Sequence, residues 1–301
     1  MNPAEINNKK VLLSCLNWGY GHVARCLPII EQLCRQKNQL WIAGSPEQIS
    51  IFKNYFTDLN FIVHEEYPFH FSGKGNFGTD LLKSYFALSK RIKTEQKEVE
   101  HYVKNFGIEV VISDHRYGFC TKSCLSICIV HQLNLPLKWY QAIGQKIHHR
   151  FLRQFDFLWV PDTKESKYAG ILSQNRAKFN VEYIGVQSRF SFYDTQEKTI
   201  EKVVILSGPL IYAQQLLDQL VAKEESNTYY IGSKNLLHDK ATHFIASDDW
   251  RACDLIILQA QHIVSRSGYS TIMDLAVLDT AFELYSTPRQ AEQEYLLKRH
   301  H

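Results

Sequence analysis

Short apolar runs alternate along this chain with segments whose apolar positions recur every three or four residues, the pattern of a parallel sheet wrapped by helices. Runs at 11–16, 40–43, 61–64, 108–113, 125–130, 157–160 and 181–184 are expected strands. Val23, Leu27, Ile30 and Leu33 repeat at helical spacing after the first of them, and a second helix is expected over 46–56. The stretch 79–106 is long, amphipathic and rich in Lys and Glu, and its charges are expected to mark a solvated face. Residues 187–198 are polar and turn-prone, without periodicity. A second alternating series then begins, with strands expected at 203–206, 228–231, 243–246 and 281–284 and helices over 210–222 and 249–253. The apolar run 255–258, continued by Ile263 and Val264, is expected to lead as a strand into Arg266, with another helical pattern following from Ile272. The reading is α/β: an amino-terminal domain over 1–186, a linker over 187–198 and a carboxy-terminal domain over 199–301, each Rossmann-like. In such sheets ligands bind beyond the carboxyl ends of the strands.

Composition narrows the function classes. The 301 residues suffice for two domain cores, and 45% hydrophobic with 22% charged residues is the make-up of a globular protein. A formal net charge of +3 gives no concentrated basic footprint, which argues against nucleic acid as partner. No apolar run approaches the ~20 residues of a membrane-spanning helix. The polar residues 1–10 lack the apolar stretch of a signal peptide, so a cytoplasmic location is expected. Seven cysteines, an odd number, then read as free thiols, and the four-residue spacing of Cys120, Cys124 and Cys128 matches no zinc pattern.

The most informative segment is Ser265-Arg266-Ser267-Gly268-Tyr269-Ser270-Thr271-Ile272-Met273-Asp274, where a strand hands over to a helix. Unpaired amides and the positive dipole end at a helix start favour phosphate. Gly268 permits close approach of a ligand, and the Asp274 carboxylate, one turn on, could accept hydrogen bonds from a sugar diol. An ordinary helix capped by Ser270 or Thr271 is the alternative.

Together with Pro288-Arg289-Gln290-Ala291-Glu292-Gln293, this segment resembles the nucleotide-sugar half of family 28 glycosyltransferases, whose peptidoglycan-building members use UDP-N-acetylglucosamine. Asn17-Trp18-Gly19-Tyr20-Gly21-His22, after the first strand, resembles that family's Gly-rich loop ending in Gly-His. The resemblance implies the GT-B architecture, two Rossmann-like domains facing across a cleft, and an inverting, metal-independent transfer from a UDP-sugar. It places Ser267, Gly268 and Thr271 at the diphosphate, with Asp274 in place of the ribose-binding Glu. It also sets Gln290 and Gln293 at the sugar, and Ser207 and Gly208 in the first carboxy-domain loop. Arg266 and the helix end would offset the charge of departing UDP. No cofactor and no metal are implied. Family members continue beyond the Gln-rich segment, so a shortened carboxy terminus is expected here, and with it a rival reading: a degenerate transferase that binds nucleotide sugar without turnover.

Gly19-Tyr20-Gly21-His22-Val23-Ala24 also fits a dinucleotide-binding G-x-G-x-x-A, but the acidic residue needed after the second strand is replaced by Ala43-Gly44-Ser45. In the transferase reading Gly19 and Gly21 let the loop approach sugar and acceptor. A base must then take the acceptor's hydroxyl proton, and His22, Asp114 and His115 are the candidates, each with a capping or bracing role as its alternative. His131 follows another strand and could line the same site. The acceptor is unidentified, lipid-linked or glycan. Leu137, Tyr140, Ile147, Phe151 and Phe155 alternate with Lys138, Lys146, His149, Arg150 and Arg153, a pattern that suits either peripheral contact with an anionic membrane or packing on the protein's own sheet.

Overall fold

The structure is a computed structural model that describes residues 1–69, 77–136, 142–222 and 227–300. It contains two compact units that part between Gln187 and Ser188. The first is built from β1 (Lys10–Cys15), α1 (Gly21–Arg35), β2 (Gln39–Gly44), α2 (Pro46–Tyr55), β3 (Asn60–Val63), α3 (Phe77–Phe106), β4 (Val110–Asp114), β5 (Leu125–Ile129), α4 (Ala142–Leu152), β6 (Phe157–Val160) and β7 (Val181–Tyr183). Its strands form one parallel sheet in the order β3-β2-β1-β4-β5-β6-β7. The second holds β8 (Ile200–Leu206), α5 (Leu210–Val221), β9 (Thr228–Gly232), β10 (His243–Ala246), α6 (Trp250–Leu258), β11 (Ala260–Arg266), α7 (Tyr269–Leu275), β12 (Ala281–Tyr285) and α8 (Ala291–His300). Its parallel order is β10-β9-β8-β11-β12.

The strands read as unbroken apolar runs because helices cover both faces of each sheet. In the second unit, Val203 and Ile263 pack on one face with Ile257 of α6, while their neighbours Val204 and Val264 pack on the other with Leu216 and Leu217 of α5. The two-residue period of a strand thus feeds two cores. In the first unit Leu12 and Val111 meet Val99 and Val103 of α3. Both sheets reverse their winding beside their first strand, at β1/β4 and at β8/β11. Loops leaving those neighbours turn to opposite faces and open a crevice at the carboxyl edge.

Two expectations need correction. Residues 255–258 are the end of α6, not a strand: Cys253, Ile257 and Leu258 are buried at helical spacing while Leu255 is 47% exposed, and Asp249 caps the helix by accepting from Ala252 N at 3.1 Å. The charges of α3 are not all solvated either. Glu95 is fully buried, accepting from Arg116 Nε at 2.7 Å and Tyr67 Oη at 2.5 Å, with His64 Nε2 at 3.0 Å. Arg91 is buried beside it and donates to Glu98 at 2.7 Å. The helix lies so close to the loop after β4 that a Cβ on Gly118 would fall 2.5 Å from the Ile92 carbonyl oxygen.

The expected amphipathic stretch 137–155 is described from Ala142, residues 137–141 lying outside the described residues. Its His148 is buried, with Nε2 2.7 Å from the Gln132 carbonyl and Nδ1 2.7 Å from Tyr117 Oη. Among the described residues no helix is long and apolar enough to cross a membrane. Burial lowers the His148 pKa to about 4. Below pH 6.5 the unfolded chain therefore binds a proton that the folded one refuses, and stability falls as pH drops from 6.5 towards 4. Urea unfolding should show His148 contributing a loss of about 2 kcal/mol between pH 7 and pH 5. His148→Gln should reduce the fall by that amount, whereas an unchanged pH dependence would show that His148 titrates normally.

Candidate functional site

In the first unit the polar side chains gather at the β1/β4 reversal. Gly19, in the loop after β1, adopts φ +128°, a backbone that side-chain-bearing residues rarely take. The loop turns into α1 at Gly21, and no side chain caps the helix, which sets His22 in its first turn. Asp114 ends β4, directly opposite Cys15 of β1, and is completely buried. His115 follows with φ +58°, and His131 lies just past β5.

Arg25 holds these groups together. It lies one turn after His22 on the same face of α1 and is only 2% exposed. Its Nε donates to Asp114 Oδ2 at 2.8 Å and its Nη2 to Oδ1 at 2.6 Å, a bidentate pair. Nη2 also lies 2.5 Å from His22 Nδ1 and 3.1 Å from His115 Nδ1, and Nη1 lies 3.0 Å from His131 Nδ1. His22 Nδ1 is in addition 3.1 Å from Asp114 Oδ2. The ligating atoms of His22, Asp114 and His115 are within 4.8 Å of one another, a spacing that suits a metal ion. Arg25 Nη2 sits among those same atoms, so the protein supplies its own cation there.

The electrostatics follow from burial and this guanidinium. Burial pushes the Asp114 carboxyl upward, but Arg25 and His22 more than reverse it and hold it well below the usual carboxylate range. Burial and Arg25 both lower His22 and His115 below the ordinary histidine value, and Asp114 offsets this only in part. At neutral pH Arg25 and Asp114 form an ion pair and His22 and His115 are neutral imidazoles.

In the second unit the loops after β8 and β11 carry the expected donor-side residues. Ser207 is followed by Gly208, at φ +92° with open space where a Cβ would stand. Gly268 is the N-cap of α7, again without a side-chain cap. Its Cβ would meet only Thr271 Oγ1, at 3.9 Å. Arg266 is buried, its Nη1 donating to the Ser286 carbonyl at 2.8 Å and its Nη2 to that of Tyr212 at 2.7 Å. Those bonds make it a brace between β11, α5 and the loop after β12. Ser267 Oγ donates to the Gln293 carbonyl at 2.9 Å, and Gln293 Oε1 accepts from Thr287 N at 2.8 Å. Gln290 N donates to the Thr287 carbonyl at 3.1 Å, so the motif and the Gln-rich segment share one bonded network.

Asp274 has a different environment from the one expected. Ser188 Oγ donates to its Oδ1 at 2.6 Å and Arg189 Nη1 to its Oδ2 at 2.7 Å. Arg189 Nε reaches Asp254 of α6 at 2.7 Å. Both oxygens of Asp274 are thus committed to protein donors, with which a ribose would have to compete. The same bonds seat residues 188–193, placed in a linker by the sequence pattern, on α6 and α7.

No protein-family model and no curated protein matches this sequence. Solved structures do. UGT89C1 of Arabidopsis thaliana complexed with UDP-L-rhamnose is similar over 97% of this chain and 83% of that one, at 11% identity and a TM-score of 0.64. The glycotransferase of kitacinnamycin is similar over 97% and 85%, at 10% identity and a TM-score of 0.62. The fold is GT-B. MurG of Acinetobacter baumannii is also similar, over 96% and 82%, at 13% identity and a TM-score of 0.50. The two expected Rossmann-like domains are those of this fold.

Sequence reasoning singled out His22, Asp114, His115 and His131 and missed Arg25. The available signal was a charged residue in the apolar face Val23, Ala24, Cys26 and Leu27 of a helix, where a buried guanidinium demands a partner. If Arg189 links Asp254 and Asp274 as a structural clasp, Arg189→Met and Asp274→Ala should each destabilise the protein by about 1–3 kcal/mol. A double-mutant cycle on denaturation midpoints should give a coupling energy of at least about 0.5 kcal/mol; strict additivity would count against the clasp.

Proposed function

We propose that this protein transfers a hexose, N-acetylglucosamine or a relative, from a UDP-sugar to an acceptor hydroxyl, with inversion and without a metal ion. The observation that carries the reading is the pair His22 and Asp114, 3.1 Å apart at the sheet reversal of one Rossmann-like unit of a GT-B fold. The acceptor oxygen bonds to the anomeric carbon as the bond from that carbon to the β-phosphate oxygen breaks, and the hydroxyl proton passes to His22. A neutral imidazole can take it, and the ionised Asp114 stabilises the imidazolium that forms. Gly19 and Gly21 give the loop room to approach the reactants, and His115 lies within the same hydrogen-bonded group.

The donor's diphosphate is assigned to Ser207, Gly208, Ser267, Gly268 and Thr271, where loops open into α5 and α7. The resemblance of Ser265–Asp274 to a nucleotide-sugar motif supports this, as does the UDP-L-rhamnose held by the similar Arabidopsis protein. Gln290 and Gln293 are assigned to the sugar. Ile143 and Ile147, 72% and 40% exposed beside exposed Lys146 and Arg150 on α4, suit an acceptor presented at an anionic membrane surface. A second reading, nucleotide-sugar binding without turnover, is favoured by one observation: Arg25 Nη2 contacts the same His22 nitrogen that faces Asp114.

Two variants test the reading. Gly268 has φ −72° and space for a methyl group, so Gly268→Ala should fold, with a loss of about 1 kcal/mol at most from the poorer N-cap, yet weaken UDP binding at least about tenfold, because the added carbon stands where the diphosphate would lie. Calorimetry showing wild-type UDP affinity would remove this loop from the donor site. His22→Ala should lower turnover of UDP-N-acetylglucosamine with a suitable acceptor by about 10²- to 10⁴-fold while UDP affinity stays constant. Turnover within a small factor of wild type would place the base elsewhere.

A further inference from the structure

Arg25 has no part in the transfer step as written, yet it touches the group that performs it. An arginine side chain only donates hydrogen bonds and does not lose its proton in a protein. Any imidazole nitrogen within bonding distance of it must therefore offer a lone pair. Three rings do so with the same atom: Nδ1 of His131 lies 3.0 Å from Nη1, and Nδ1 of His22 at 2.5 Å and of His115 at 3.1 Å share the Nη2 hydrogen that Asp114 Oδ1 does not take. Each neutral ring then carries its proton on Nε2, the nitrogen remote from the guanidinium. His22 has a competitor: Asp114 Oδ2, 3.1 Å from Nδ1, would accept a proton held there. His115 Nδ1 lies 3.7 Å from the Asp114 carboxylate, too far to bond. The same carboxylate is already paired at both oxygens by the Arg25 fork, which lessens its pull on a ring proton.

This arrangement has a chemical consequence. To take a proton at Nε2, His22 must first hold one at Nδ1 and present a lone pair at Nε2. The guanidinium favours the opposite tautomer, in which Nε2 is a hydrogen-bond donor. We propose that Arg25 is a positioning residue that holds His22, His115 and His131 in their Nε2–H form, so that His22 becomes a base only when the guanidinium withdraws from its Nδ1 and leaves that atom to Asp114. Withdrawal does not strand the cation, because Asp114, His115 and His131 still receive its N–H groups. The kinetic part of this inference rests on the transfer reading above; the tautomer part does not.

Among the described residues the groups that face His22 are Arg25 on α1, Asp114 and His115 at the end of β4, and His131 beyond β5; Cys26 Sγ faces Asp114 Oδ2 at 3.7 Å. Substitution of the cation without loss of its charge isolates the geometry. A lysine can pair with Asp114, but as a single point donor it cannot also span the three rings.

The test is a long-range proton–nitrogen NMR spectrum of the protein labelled with nitrogen-15 at histidine, with rings assigned by His22→Gln, His115→Gln and His131→Gln. The wild-type chain without added ligand should show the Nε2–H pattern for all three, and Arg25→Lys should convert His22 to the Nδ1–H pattern. A wild-type His22 already protonated at Nδ1 overturns the proposal even if no Arg25 variant folds, and so does an Arg25→Lys protein whose His22 pattern is unchanged. With UDP-N-acetylglucosamine and an acceptor, Arg25→Lys should raise kcat by about 10-fold, the effect of one hydrogen bond that no longer has to break, with KM for the sugar nucleotide unchanged. A fall in kcat with unchanged KM overturns the restraining role. Absence of transfer from wild type and variant alike, with the expected tautomers, would instead sink the transferase reading and leave the assignment of Arg25 standing.

Discussion

The buried pair of Arg25 and Asp114 is the interaction on which the first unit's site depends. A carboxylate at the end of a central parallel strand, wholly removed from water, would cost several kcal/mol if unpaired. The Arg25 fork answers that cost through two hydrogen bonds and simultaneously places a positive charge among three imidazoles. Substitution of either partner would leave the other as an isolated buried charge. The pair therefore couples the stability of the β1/β4 junction to the chemistry of His22. A group that is needed to fold the site also determines which nitrogen of its histidine is free to react.

A second buried arginine guards the same backbone from the other side. Asp114 and His115 are followed by Arg116, which is bound to Glu95 of α3 and stacked on the Tyr67 ring at 4.7 Å. The Ser113 hydroxyl closes the turn by accepting from Arg116 N at 3.0 Å and donating to its carbonyl at 2.7 Å. Between these anchors His115 keeps a left-handed backbone that few residues other than glycine adopt. The long helix α3 thus does more than cover the sheet: its buried Glu95 fixes the loop that delivers His115 to Arg25.

The second unit solves a similar problem with uncharged partners. Its motif loop is tied down by Arg266 and Ser267 through backbone carbonyls of neighbouring elements. These bonds use up side-chain donors that a ligand might otherwise have met, and they leave Gly208 and Gly268 as the open points of the loops. Asp274 is the charged exception, its oxygens securing residues 188–193 through Ser188 and the Arg189 guanidinium. Rigid loops with exposed glycine backbone suit recognition of a diphosphate by amide groups, which need no side chain of their own.

Much of this was legible in the residue pattern. Fully buried parallel strands leave continuous apolar runs, so the alternation of strands and helices and the placing of His22, Asp114, His115 and the Ser267-Gly268 loop at strand ends followed from local periodicity. The end of α6 was misread because a short apolar run carries no period of its own, and only its packing distinguishes helix from strand. The charges of α3 looked solvated because one helix cannot show that His64, Tyr67 and Arg116 converge on Glu95 from elsewhere in the chain. Arg25 and Asp114 are separated by 89 residues, and no spacing rule joins them. By itself the sequence determined which side chains stand at the carboxyl ends of the strands, because that depends on short-range pattern. Which of those side chains bond to one another, and hence which nitrogen of His22 holds the proton and whether Asp274 faces a ligand or Arg189, was decided only by tertiary structure, because burial brings together partners that are distant along the chain and removes the water that would otherwise have satisfied them.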